Sequence, residues 1–239
     1  MLGKVALVTG SAKRLGRAVA LRLAIEGADM VIHHGASAAE AAETVTEIEK
    51  MGRRAMAIAT DLRKVDEIGG MFVKVGKEFG RLDILVNSAA NFLPASIVST
   101  TEEIWDASLD TNVKAGFFCA QAAAPLLRRA KGTIVNFTDG GGLMGWPGYI
   151  PHSISKAGVV MLTKVLAKAL APEVRVNAIA PGTITMPGDP PEWVTDFVAL
   201  APLKRTGKPS DIADAVLYLV QAEFLTGHTL VLDGGKSLG

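Results

Sequence analysis

Short apolar runs rich in β-branched residues alternate along this chain with longer stretches of helical periodicity, and that rhythm restricts the fold more than any other feature. Residues 5–9, 30–33, 54–59, 82–87, 132–137, 174–178 and 229–232 read as strands. Between them, 15–26, 38–51, 65–79, 102–129, 151–170 and 209–220 read as helices. Ser37, with Glu40 three residues on, has the pattern of a capping box for the second helix, and Gly80 closes the third. Repeated strand–helix alternation calls for parallel strands joined by crossover helices on both faces of the sheet. Runs such as Val5-Ala6-Leu7-Val8 and Ile84-Leu85-Val86 are apolar throughout, as strands covered on both faces are. No linker, charge block or internal repeat divides the chain. The expectation is one doubly wound α/β domain over residues 1–239, with a mostly parallel seven-stranded sheet. Residues 183–205 are the least regular stretch: Pro187, Pro190, Pro191 and Pro202 surround a helical piece at 192–200. Placed just after the sixth strand, this segment is expected to be a substrate lid.

Composition excludes several classes. The chain has 239 residues, 49% of them hydrophobic, and 25 Lys plus Arg balance 24 Asp plus Glu to leave +1. Such a chain is too apolar and too nearly neutral for disorder, and it lacks the charge of a nucleic-acid-binding surface. A single Cys can form no internal disulfide, and the four His lack a metal-ligand pattern, so no metal is expected. No uncharged apolar run reaches the roughly 18 residues of a membrane span. The N-terminal MLGKVALVTGSAKR does not read as a signal peptide. A cytoplasmic protein acting on a small molecule, with no nucleic-acid or membrane partner, is the expectation.

The turn between the first strand and first helix reads Thr9-Gly10-Ser11-Ala12-Lys13-Arg14-Leu15-Gly16. A helix N-terminus at the C-terminal end of a parallel strand offers free N–H groups and a positive dipole to an anion. Gly10 permits a tight turn and Gly16 close helix–strand packing. The turn resembles the TGxxxGxG loop of the short-chain dehydrogenase/reductase family. The resemblance continues through Asp61-Leu62, Asn87-Ser88-Ala89-Ala90, Asn112-Val113, Pro181-Gly182 and Asp233-Gly234-Gly235, which stand in the family's order and spacing. It implies a Rossmann-type fold and a nicotinamide cofactor. It also implies that Asp61 and Leu62 meet adenine, Asn87 and Ala89 the adenosine ribose, and that Pro181, Gly182 and Ile184 lie at the carboxamide end. Arg14 replaces the family's second loop Gly. Ala12-Lys13-Arg14-Leu15-Gly16-Arg17, Ser37 and Asn91-Phe92 resemble the pteridine reductase branch. Lys13, Arg14 and Arg17 crowd one helix end, and His33-His34, not an acidic residue, closes the second strand. This balance favours NADP(H), with Lys13, Arg14, Leu15 and Ser37 on the phosphate side and His33 and His34 either there or in packing.

The family's chemistry uses Ser, Tyr and Lys, with Tyr four residues before Lys on one helix face. Ser153-Ile154-Ser155-Lys156 fixes the register. Lys156 is present, His152 stands in the Tyr position and Asp139 in the Ser position; the pteridine reductase branch also carries Asp there. An imidazole can serve as a general acid near neutral pH, but its nitrogen reaches about 2 Å less far than a Tyr hydroxyl. Asp139, His152 and Lys156 are thus the expected catalytic set, with Asn112 holding a relay water and Lys156 also gripping the nicotinamide ribose. Asp139 and His152 are expected to face the substrate, together with Phe92, Tyr149 and Trp193. A pterin or dihydrofolate is the first substrate expectation and a 3-oxoacyl or other carbonyl compound the second. A silent NADP-binding sensor is the rival of a different class, because Tyr is replaced. The resemblance further implies a homotetramer or homodimer. Cys119 reads as a buried structural thiol.

Overall fold

Seven parallel strands form one sheet in the order β3-β2-β1-β4-β5-β6-β7. They are β1 (Val5–Val8), β2 (Asp29–His34), β3 (Ala55–Ala59), β4 (Ile84–Asn87), β5 (Thr133–Phe137), β6 (Arg175–Pro181) and β7 (Thr229–Leu232). The computed structural model describes residues 1–186, 188, 189 and 191–238, without the side chains of 191–193 and 196. Register is set by alternation. Ala6 and Val8 point into one hydrophobic layer, Val5 and Leu7 into the other, and Ile84 and Val86 part from Leu85 in the same way.

The helices follow from the same periodicities. They are α1 (Arg14–Ile25), α2 (Ala38–Lys50), α3 (Val65–Phe79), α4 (Glu102–Leu109), α5 (Ala115–Ala130), α6 (Gly141–Met144), α7 (Ile150–Leu170), α8 (Pro191–Leu200) and α9 (Pro209–Gln221). On one face of the sheet α1 and α9 pack together, with Val19, Leu23, Ile212 and Val216 closed over Val8 and Met30. On the other, Ile68 and Phe72 of α3, Leu127 of α5 and Leu166 of α7 close over Leu7 and Leu85. Each such side chain contributes about 1.5–3 kcal/mol by leaving water. Among the described residues, no helix is long and apolar enough to cross a membrane.

Three local departures from the sequence expectation bear on function. The helix expected over 102–129 is broken by a π-helical turn, Asp110–Lys114, between α4 and α5. The extra residue of that turn swings Asn112 inward, where three hydrogen bonds hold it. Ser37 does precede α2, but its side chain caps no amide. Glu40 instead lies 3.8 Å from the Lys13 ammonium, so the expected capping box does not form. Finally, the glycine-rich stretch after β5 folds into α6, which was not expected, and packs against α7.

His33 ties the functional edge of the sheet together. Its Nδ1 accepts from the Gly10 amide at 2.9 Å, so Nε2 carries the hydrogen and donates to the Thr60 carbonyl at 3.1 Å. Burial lowers its pKa from the ordinary 6.5 to about 4, although the Thr60 bond opposes the shift. The native state therefore resists a proton that the unfolded chain takes up. The neutral clip is at full strength above about pH 6.5, and stability is lost as pH falls from there toward about 4, by about 3 kcal/mol in all. In His33→Gln the side chain still offers one acceptor and one donor but does not titrate. Denaturant unfolding across pH 4–7 should show a shallower acid loss in the variant; parallel curves for the two proteins would rule out His33 as the cause.

Candidate active site

A groove of about 950 Å³ runs along the C-terminal ends of the strands. Gly10, Lys13, Arg14, Leu15, Gly16, His33, His34, Ser37, Asp61, Leu62, Ala89, Pro181 and Gly182 all line it, as do Asp139 and Lys156 at its far end. It passes the point between β1 and β4 where the strand order reverses, the usual ligand position in such sheets. Most of the residues expected to bind a cofactor therefore share one surface.

The glycine-rich turn forms one wall. Gly16 packs so closely under Gly10 that a Cβ would stand 2.3 Å from the Gly10 carbonyl oxygen, and no side chain fits there. The first turn of α1 leaves its amides without intrahelical acceptors and turned toward the groove. At the other flank Asp61 is held by a two-point bond from Arg63, 2.9 and 2.8 Å. That pairing draws the Asp61 pKa down to about 2. His34 is buried at the end of β2. Lys13 is well exposed, and the Ser37 hydroxyl caps no helix amide.

Arg14 does not extend toward Ser37. Its backbone adopts a left-handed φ of +53°, and its guanidinium grips Asp189 with bonds of 2.9 and 3.2 Å. Asp189 also accepts the Met186 amide at 2.9 Å, and its pKa is lowered chiefly by the Arg14 bond. The residue expected on the phosphate side thus clasps the segment that follows β6. Ile184, expected at the carboxamide, lines a neighbouring cavity with Phe197 and Leu232 rather than the groove. Asn87 lies behind the groove, where its amide donates to Asn136 at 2.9 Å.

At the far end Asp139 leaves β5 and His152 occupies the first turn of α7. His152 Nε2 stands 2.8 Å from Asp139 Oδ2, while Oδ1 accepts the Gly141 amide at 2.9 Å. Gly142 makes this turn possible, because a Cβ there would meet the Lys156 carbonyl carbon at 2.6 Å. Burial pushes the Asp139 pKa up, but the His152 bond and the charges of Lys156 and His152 outweigh it and hold the carboxyl below its ordinary value. Lys156 is also buried and donates to the Phe137 carbonyl at 3.0 Å. Burial lowers its pKa, with Asp139 opposing.

His152 does not face the substrate space as expected. It is only 1% exposed and does not line the groove. Its Nδ1 is 3.2 Å from the Asn91 carbonyl, and its ring lies edge-on to Phe92 at 4.7 Å. Phe92 in turn stacks on Tyr149 at 4.3 Å, so these two residues form an aromatic wall beside the groove instead of lining it. The imidazole is shorter than a phenol and is held between the Asn91 carbonyl and Asp139. Asn112 is likewise absent from the groove; its side chain binds the Asn91 backbone and Ser155. The side chain of Trp193 lies outside the described residues. Sequence reading missed the Asn91 carbonyl, for which no residue type is a signal. It also missed Asp189, whose charge opposite to Arg14 was a usable hint.

The Arg14 end of this pair is open to solvent, so Asp189→Asn should change unfolding free energy by about 1 kcal/mol or less. Limited proteolysis within residues 183–205 should nevertheless quicken by several-fold. Unchanged cleavage would show that Arg14 does not hold this segment.

Known proteins share this architecture. A family model described as enoyl-(acyl carrier protein) reductase matches residues 10–237. The 3-oxoacyl-[acyl-carrier-protein] reductase FabG of Staphylococcus epidermidis is 37% identical over 243 residues, covering 98% of this chain and 99% of the relative. A 3-oxoacyl-[acyl-carrier-protein] reductase of Synechocystis is 35% identical over 98% of this chain and 97% of its own length. Among solved structures, a putative short-chain alcohol dehydrogenase from Sinorhizobium meliloti aligns with a TM-score of 0.94 at 35% identity, over 100% of this chain and 98% of the other. A blue fluorescent protein from a metagenomic library, solved in complex with NADPH, aligns with a TM-score of 0.92 at 30% identity, over 98% of each chain. With the reversed strand order, the glycine-rich turn and the buried lysine of α7 all in place, the chain belongs to the short-chain dehydrogenase/reductase family.

Proposed function

We propose that this protein is an NADP(H)-dependent reductase of a small carbonyl compound, with 3-oxoacyl thioesters as the substrate class. The observation that carries the proposal is the groove itself, which begins at the glycine-rich turn and ends on Asp139 and Lys156. The residues fit a nicotinamide dinucleotide. The cradle at Gly16 leaves no room for a Cβ, free amides open α1, and a lysine emerges from a buried position at the other end. Lys13 and Ser37, with no acidic residue closing β2, suit a 2′-phosphate. The activity printed for the 37%-identical relatives favours the oxoacyl substrate.

The division of labour follows from exposure. When bound, the cofactor supplies hydride to the acceptor carbon. Asp139, 21% exposed and lining the groove, is the group placed to exchange a proton with the substrate oxygen. His152 stands behind it and orients the carboxyl through the 2.8 Å contact of its Nε2 with Oδ2. The buried Lys156 ammonium holds negative charge at that end and would bond the nicotinamide ribose.

A pterin or dihydrofolate is a second reading. It is favoured by the Asp139 carboxylate, which can accept N–H bonds from an aminopyrimidine edge, and by the resemblance to the pteridine reductase branch.

Loss of NADPH absorbance, followed with a 3-oxoacyl thioester and with dihydrobiopterin, separates the two. Turnover of the thioester is expected; turnover of the pterin alone would move the assignment to the second reading. Tight NADPH binding with neither reaction would identify a cofactor-binding sensor. Asp139→Asn should lower kcat by about 10²–10⁴-fold, the usual worth of a positioned acid. NADPH should bind at least about tenfold more tightly than NADH, or about 1.4 kcal/mol; equal affinities would remove the phosphate argument. In His152→Tyr the pH profile should change, whereas a large gain in carbonyl reduction would show that His152 is not a working member of the pair.

A further inference from the structure

We propose that Arg63, at the end of β3, is a specificity residue for the adenosine 2′-phosphate of NADP(H), supplying the cation that the end of β2 lacks. The inference rests on the NADP(H) reading of the groove and deepens it. β2 leaves the sheet through His33, His34, Gly35, Ala36 and Ser37, with no Lys or Arg among them. β3 runs parallel beside it, with His34 opposite Ala59, and the Thr60 amide donates to the His34 carbonyl at 3.0 Å. The two chains therefore leave the sheet side by side, and Ser37 and Arg63 line the same groove. The cations at the start of α1 have partners of their own. Arg14 grips Asp189, Arg17 is bonded to Glu47, and the Lys13 ammonium lies 3.8 Å from Glu40.

Arg63 is held in place before any ligand arrives. Its Nε donates to Asp61 Oδ1 at 2.9 Å, its Nη2 to Oδ2 at 2.8 Å, and its backbone amide to Oδ1 at 3.1 Å. A guanidinium presents its N–H donors around a rigid plane. Asp61 takes the Nε–Nη2 edge, which leaves the Nη1–Nη2 edge with no hydrogen-bond acceptor among the described residues. The side chain is 61% exposed, so that edge is open to a ligand in the groove. Two parallel N–H groups match two oxygens of a phosphate.

The pairing also removes a repulsion. Asp61 by itself would set a carboxylate against the 2′-phosphate, and the two-point bond to Arg63 offsets that charge. Glu67, the other carboxylate on this flank, is bonded to the Asp61 amide and the Lys64 ammonium, each at 2.9 Å. NADH carries a hydroxyl where NADPH carries the phosphate, so Arg63 distinguishes the two cofactors. A residue that only braced the turn after β3 would affect both alike.

Titrations with NADPH, NADH and adenosine 2′,5′-bisphosphate, made without substrate, test this. Arg63→Gln should weaken NADPH and the bisphosphate by about tenfold or more, the worth of a charge-assisted bond, and leave NADH within about twofold. Arg63→Lys, which keeps the charge but not the fork, should fall between the two proteins. Unchanged NADPH affinity in Arg63→Gln would overturn the proposal. So would an equal loss for NADPH and NADH, which would make Arg63 a brace for Asp61. A protein that binds the bisphosphate through Arg63 but reduces no carbonyl would instead refute the reductase reading alone.

Discussion

Between β1 and β4 the strand order reverses, so the helices that follow these two strands depart on opposite sides and leave a crevice at the sheet edge. The glycine-rich turn, Asp61, Asp139 and Lys156 are arranged along that crevice. The glycine-rich turn closes one wall because Gly16 can pack directly beneath Gly10, and His33 pins the same turn to β2 and β3. β5, next to β4, carries Asp139 to the far end. The sheet therefore fixes the distance between the N-terminus of α1 and a buried ionisable cluster. The chemistry needs both to be held before any ligand arrives.

That cluster is costly to bury, and its arrangement shows how the cost is met. Lys156, His152 and Asp139 share a volume in which an isolated charge would be strongly disfavoured. The carboxylate receives a charge-assisted bond from His152 and the amide of Gly141, and the lysine is satisfied by the Phe137 carbonyl. Of the hydrogen-bonded pair Asp139 and His152, only Asp139 reaches the groove, and His152 lies buried behind it.

Much of the scaffold could be read from residue order. Apolar runs such as Val5-Ala6-Leu7-Val8 and Ile84-Leu85-Val86 state their own burial on both faces, and the α3 limits were legible from Val65 to Gly80. What escaped was set by contacts distant in sequence. Asp110–Lys114 has nothing in its composition to announce a π-helical turn; the turn exists because Asn112 finds partners at Asn91 and Ser155. Arg14 was legible as an unusual loop residue, but its partner lies 175 residues away in the segment after β6. The positions of Asp139 and His152 were apparent from their offset to Lys156, yet their roles depended on which side chain reaches the groove. An imidazole held between a backbone carbonyl and a carboxylate cannot be inferred from residue types.

The central claim is that one groove holds the cofactor and that its reacting end is Asp139 with Lys156. A crystal structure of the complex with NADPH tests this most directly. The account predicts the pyrophosphate on the first turn of α1, the adenosine 2′-phosphate beside Lys13 and Ser37, and the nicotinamide ring next to Asp139 and Lys156, with His152 still behind Asp139. A nicotinamide ring held away from Asp139, or a His152 ring swung into the groove in its place, would contradict it.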